Sequence, residues 1–217
     1  MSLLSVLAKG GWLMIFIGIF SLIALGIFIE RIMVLRKARI NLNAFLIKIR
    51  QYINKGDYNN ALLVCSNTPG PTAKVLEKGI RLRNQSREEI KDAIESAGRT
   101  EIYQLERGFA ALATIAGVAP LTGFLGTVTG MIQAFMRIQE LGGNVNATVL
   151  AGGIWEALIT TAAGLLVGIL TFLAYNYLVT KVQRLVFEVE ISSTNLLELL
   201  TNSNKQREKV HEVRNGE

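Results

Sequence analysis

The chain has 217 residues, 50% of them hydrophobic, with a formal net charge of +6 and a mean hydropathy of +0.36. Its apolar residues gather in long runs instead of recurring at core spacing, which excludes an ordinary soluble domain and points to a bilayer. A single cysteine, Cys65, and a single histidine, His211, exclude a disulfide framework and a Cys/His metal centre, and no cofactor is expected.

The first apolar run, Trp12 to Ile29, is 18 residues long. As helix it measures about 27 Å, enough to cross hydrocarbon. Ala24-Leu25-Gly26 resembles a signal-peptidase site, but only Lys9 precedes the run while Arg31, Arg36, Lys37 and Arg39 follow it. That charge order is the reverse of a signal peptide and fits a retained helix, so residues 1–30 are read as an N-terminal segment and first span.

Residues 31–108 read as a cytoplasmic helical loop. Leu42, Phe45, Leu46, Ile49 and Ile53 recur at helical spacing, and Gly56-Asp57 then breaks and recaps the chain. A short helix from about Tyr58 to Ser66 ends before the Pro69-Gly70-Pro71 turn, and another follows from Thr72 to about Arg83. Ser86 with Glu89 three residues later makes a capping box. The helix it opens meets no proline before Pro120, and is expected to run unbroken into the second span. No β pattern is present.

Two further spans follow, 109–136 and 148–180, joined by a short polar link at 137–147 that contains Gly142-Gly143-Asn144. So short a link makes them an antiparallel hairpin. Beyond it, residues 181–217 form a helical extension and tail. Val182, Leu185, Val186 and Val189 continue an apolar stripe, and the charged tail after Asn202 is expected to fray. The fold expected is an all-α integral membrane protein with three transmembrane helices and long cytoplasmic helices.

Lys/Arg counts orient the chain. Fifteen lie between Glu30 and Arg107 and six after Thr180, against one in the link (Arg137) and one at the N-terminus (Lys9). The positive-inside rule therefore puts the N-terminus and the link outside, and the loop and tail in the cytoplasm. The same rule accounts for the basic pI without nucleic acid, for which no aromatic stacking platform is present.

Within the two long spans one residue is ionisable, Glu156. A carboxylate at mid-bilayer costs roughly 2.5–3.5 kcal/mol and is a functional candidate by default. If the third span enters hydrocarbon near Ala147, Glu156 lies about 13 Å inside. Equal counting places Thr127 beside it, with Thr161 and Thr122 level with each other further in. Each threonine also has a bland alternative, a hydrogen bond to its own helix.

Glu156, Thr160, Thr161, Gly153, Ala157, Gly164 and Gly168 share one arc of about 140° on the third span. Pro120, Gly123, Thr127 and Gly130 lie on a small-residue stripe of the second, together with Ala113, Ala116 and Ala134. Gly126-x-x-x-Gly130 and Gly164-x-x-x-Gly168 permit close helix packing. A small face edged by a carboxylate fits helices lining a pore around another helix. The spacing of Gly123, Gly126 and Gly130 matches neither a Walker loop nor a dinucleotide fingerprint, so the energy source expected is an ion gradient.

The stretches Ala119 to Phe135 (APLTGFLGTVTGMIQAF) and Gly152 to Leu178 (GGIWEALITTAAGLLVGILTFLAYNYL) resemble the ExbB/TolQ branch of the MotA/TolQ/ExbB proton-channel family. The resemblance covers the whole topology, strongest in the hairpin and weak in the first span and loop. It implies a bacterial inner-membrane homopentamer surrounding the helices of a single-span, dimeric ExbD/TolR-like partner. It further implies proton-driven work passed on through a TonB- or TolA-like protein. The family's pore residues fall on Glu156, Thr127 and Thr161, and its hairpin proline on Pro120. Glu156 and the loop length favour ExbB/TolQ over MotA, while TonB-type uptake and Tol-type envelope maintenance both stay open. The competing reading is a scaffold that anchors a partner helix without conducting ions, with Glu156 as a clamp. No Ser/His or paired-Asp constellation in the spans supports an enzyme.

Overall fold

The computed structural model describes residues 10–140 and 147–215, and the side chains within 10–140 and 150–202. Lys9, the 142–144 turn and the side chain of His211 lie outside them. Seven helices make up the described residues, with no strand among them: α1 (Leu13–Ala38), α2 (Leu42–Asn54), α3 (Tyr58–Ser66), α4 (Pro71–Arg81), α5 (Arg87–Glu106), α6 (Phe109–Glu140) and α7 (Ala147–Asn215). Helical stretches within Leu13–Ala38, Arg87–Glu140 and Leu150–Asn202 are long and apolar enough to cross a membrane. The chain divides into two compact units, Met1–Glu30 with Gly108–Leu178, and Arg31–Arg107 with Val179–Glu217.

In the first unit, α1 buries Leu13, Ile17 and Ala24 and exposes Ile15, Phe16, Ile19, Leu22 and Ile23. A narrow buried stripe on an otherwise apolar helix is what lipid on the other side permits.

The second unit has a water-type core. Phe45, Ile49 and Ile53 of α2 pack with Tyr58, Ala61 and Cys65 of α3, Val75, Leu76 and Ile80 of α4, and Ile90 and Ile94 of α5. Val189, Leu196 and Leu200 of α7 complete it, and Val182 and Leu185 are also buried. The stripe read from α2 is thus the core face. Gly79 is required where α4 meets two neighbours: a Cβ there would lie 2.8 Å from Ile94 Cδ1 and 2.9 Å from Leu196 Cδ2. Burial, and next the Glu77 carboxylate, push the Cys65 thiol up to about 12.

The expected capping box is present: Ser86 Oγ accepts from the Glu89 amide at 3.3 Å, and the Ser86 amide donates to Glu89 Oε2 at 2.9 Å. The Ser86 amide and hydroxyl hold the Glu89 carboxyl below its ordinary range. A lowered folded value means the cap is complete above the ordinary Glu range and weakens as pH falls through the lowered one. Ser86→Ala should cost about 1 kcal/mol, read as faster amide exchange confined to the first turn of α5.

Two expectations are corrected. The helix opened at Ser86 does not run unbroken into the second span. It stops at Glu106, Gly108 adopts φ +87°, and α6 restarts with the Leu112 amide donating to Gly108 O at 3.1 Å. Only glycine takes that left-handed turn cheaply, and a Cβ there would also press on Ile27 Cγ2 at 3.0 Å. The tail does not stop being helical near Asn202, because α7 continues to Asn215. Its Lys, Gln, Arg and Glu residues are good helix formers despite their charge.

Arg31, read as a flanking charge, is 5% exposed, and its Nη1 donates to Gln104 O at 3.0 Å. That carbonyl belongs to the last turn of α5, where a cation is favoured.

Candidate functional site

The small residues of α6 and α7 meet each other. A Cβ at Gly123 would lie 3.0 Å from Thr160 O and 3.2 Å from Gly164 Cα; one at Gly164 would lie 2.5 Å from Ala119 O. A Cβ at Gly126 would lie 2.5 Å from Thr160 Cγ2, one at Gly130 3.1 Å from Ala157 Cβ, and one at Gly153 2.6 Å from Ala134 Cβ. A Cβ at Gly168 would strike Pro120 Cγ and lie 3.1 Å from Ala116 O, the carbonyl whose helical donor Pro120 lacks. The glycine stripes are therefore spent inside the hairpin, closing two backbones, and do not face open space. Gly117 and Gly152, off the stripe, have nothing within 4 Å.

The register differs by up to a helical turn from that obtained by pairing the hairpin ends. Gly130 lies against Ala157 and Gly153, the neighbours of Glu156, whereas Thr127 sits one turn further from the tip. Thr127 is half-buried and its hydroxyl donates to Phe124 O of its own helix at 2.6 Å. Thr122 likewise donates to Val118 O at 2.9 Å. Thr161 instead crosses the hairpin and donates to Gly123 O at 2.8 Å. Each of these hydroxyls has committed its one proton to a carbonyl and offers only lone pairs to a further partner.

Glu156 is half-buried, and among the described residues no side chain donates to its carboxylate. What touches it is the backbone leading into α1. Gly11 has φ +69°, and a Cβ at Gly11 would fall on Glu156 Oε1. Thr160, one turn along α7 and 1% exposed, has its hydroxyl 2.8 Å from both Gly10 O and Glu156 O. Thr160 was visible in the sequence only as one polar member of a helix face; its partner lies 150 residues away.

This contact sets Glu156 beside the start of α1. The chain's two tryptophans adjoin the contact in sequence, Trp12 after Gly11 and Trp155 before Glu156, and are 58% and 49% exposed. Exposed tryptophans collect at the membrane–water boundary. From Trp12 to Glu30, α1 covers about 27 Å, and from Trp155 to Tyr177, α7 covers about 33 Å, each close to one hydrocarbon thickness. Glu156 thus stands level with the start of α1, and the segment of α7 from Ala147 to Ile154 extends past it.

Comparison with known proteins fixes what the hairpin belongs to. Residues 67–191, more than half of the chain, match the profile of the MotA/TolQ/ExbB proton channel family. The chain belongs to that family. A biopolymer transport protein ExbB homolog of Methanothermobacter thermautotrophicus is 30% identical over 205 residues, 93% of this chain and 70% of that protein. An ExbB-like protein of Synechocystis is 44% identical over 103 residues, 46% of this chain and 41% of its own length. The biopolymer transport protein ExbB of Neisseria gonorrhoeae is 33% identical over 134 residues, 55% of this chain and 60% of its own length. The chain thus spans less than two thirds of the last two proteins. These similarities put it on the ExbB/TolQ branch, as an all-α membrane protein of the MotA/TolQ/ExbB family.

Proposed function

We propose that this chain is a proton-conducting motor subunit of the bacterial inner membrane. With a single-span ExbD/TolR-like partner it converts the proton motive force into mechanical work across the envelope, for TonB-type uptake or Tol-type envelope maintenance. The observation that carries this reading is Glu156: the one charged residue of the two long spans, half-buried against the turn that leads into α1, with no side-chain donor among the described residues. A carboxyl so placed can take a proton from the water side and exchange it with an acid on a partner helix. Thr127 and Thr161 offer hydroxyl lone pairs along the way.

Membership in a proton channel family, and relatives named for biopolymer transport, support the same reading. The glycine stripes are used within the hairpin, so the ring of subunits, five by family resemblance, is built from the other faces. Those carry exposed Leu121, Phe124, Val128 and Phe135 on α6 and Leu158, Leu165, Ile169 and Phe172 on α7. Native mass spectrometry in detergent should show that ring; only monomers and dimers would rule it out.

Orientation has its own test. Single cysteines at Asn144 and Asn204 are treated with an impermeant maleimide on intact spheroplasts. Residue 144 should react and residue 204 should not. Native Cys65 can stay in place, because a buried thiol raised to about 12 carries little thiolate at neutral pH; it should react only after denaturation. Labelling at 204 without 144 would invert the topology. The conducting reading and the scaffold reading part at proton flux, where only the first requires residue 156 to titrate.

A further inference from the structure

We propose that the backbone turn at Gly10 and Gly11 is a positioning element for the Glu156 carboxyl, held in place by Thr160. The meaning of this for proton transfer rests on the function proposed above, but the geometry stands independently. Gly11 meets two requirements that only glycine satisfies together. Its φ of +69° lies in the left-handed region, and the space a Cβ would occupy is taken by Glu156 Oε1. The turn therefore covers one side of the carboxyl with bare backbone.

Thr160 supplies the tether. Its hydroxyl reaches Gly10 O at 2.8 Å while sitting on the carbonyl of Glu156 itself, so one side chain joins the turn to the helix turn that carries the carboxylate. Its methyl group is locked in turn against Gly126, where a Cβ would come within 2.5 Å of Thr160 Cγ2. Gly10 is buried beside Ile159, and Leu13 is buried one residue after Trp12, so the start of α1 is seated on the hairpin. The carboxyl is thus aimed by three elements at once: α7 bears it, α6 fixes Thr160, and the lead-in to α1 closes over it. Moving the start of α1 would move the carboxyl.

The test is peptide-resolved modification of residue 156 by dicyclohexylcarbodiimide, an apolar carboxyl reagent. It is done at one pH in membranes holding the full chain with its native partners. Gly11→Ala should displace the carboxyl from under the turn and raise its labelling rate about tenfold, a factor within the usual range for overpacking a closed contact. Gly117→Ala, at an open position, should leave it unchanged. A shorter carboxylate makes room for the added methyl, so adding Gly11→Ala to Glu156→Asp should change labelling less than about twofold, the mark of direct coupling. Thr160→Val keeps the shape but frees the turn and should also raise labelling, while Thr160→Ser should restore it. If Gly11→Ala does not accumulate, the Thr160 pair decides.

Wild-type labelling in both Gly11→Ala and Thr160→Val, or an equal Gly11→Ala effect with Glu and Asp at 156, would overturn the proposal. Proton flux that survives Glu156→Gln would remove the motor reading while leaving this labelling pattern as predicted.

Discussion

Gly164→Leu should abolish the assembled protein, whereas Leu165→Ala one residue away, which trims one side chain of an outer face, should lose far less of it. A Cβ at Gly164 already lies 2.5 Å from Ala119 O and 2.9 Å from Gly123 Cα. These are backbone atoms of α6, which cannot rotate aside as a side chain would. Overpacking against yielding side chains costs about 1–3 kcal/mol, and a leucine wedged against main chain should exceed that. The two helices must then part, breaking the Thr161 bond to Gly123 O and unseating Thr160 from Gly126. Leu165 points the other way and is 46% exposed, so truncating it leaves the hairpin packed. Gly164→Ala should give an intermediate loss. The readout is the fraction of purified chain recovered as the oligomer in detergent. Equal recovery for Gly164→Leu and Leu165→Ala would show that the hairpin is not closed as described.

The hairpin was legible because its pattern is local. Small residues three and four apart mark a close-packed face whatever lies opposite, and the same logic found the α2 stripe and the Ser86 capping box. What the sequence left open was which surface met the small face. Periodicity fixes a direction around a helix but names no neighbour, so a small face edged by a carboxylate fits a pore lining in the sequence, whereas the structure spends its glycines on packing within the hairpin.

The break before α6 was hidden because a lone glycine sits comfortably in a helix pattern. Only its φ, and Ile27 pressing from α1, reveal the turn. The level of Glu156 relative to α1 was hidden for a different reason. Nothing in the sequence says how far α7 projects past the start of α1. The Gly11–Glu156 and Gly10–Thr160 contacts join residues about 150 positions apart, beyond the reach of any spacing argument.

Glu156→Gln should assemble normally and lose function. Glutamine keeps the length of glutamate and can lie under the Gly11 turn, so packing of the hairpin and of α1 is preserved. It cannot gain and lose a proton. Each charge moved through 100 mV supplies about 2.3 kcal/mol, and none of it can be harvested by a site that does not titrate. Removing a proton-transferring side chain typically lowers the rate by about hundredfold or more, and that is the loss expected here. Glu156→Asp still titrates from a shorter side chain and should retain part of the activity. Thr161→Val should fall between them, since it removes one hydroxyl and the Gly123 bond but leaves the carboxyl in place.

The most direct test is proton flux into liposomes containing the chain co-purified with its native partner, driven by an imposed potential and followed with an internal pH dye. The wild-type complex should conduct, Glu156→Asp should conduct at a reduced rate, and Glu156→Gln should fall to the level of empty liposomes while its oligomer remains intact. Wild-type flux through Glu156→Gln would contradict the account, leaving this carboxylate a structural clamp and the proton path to the partner alone.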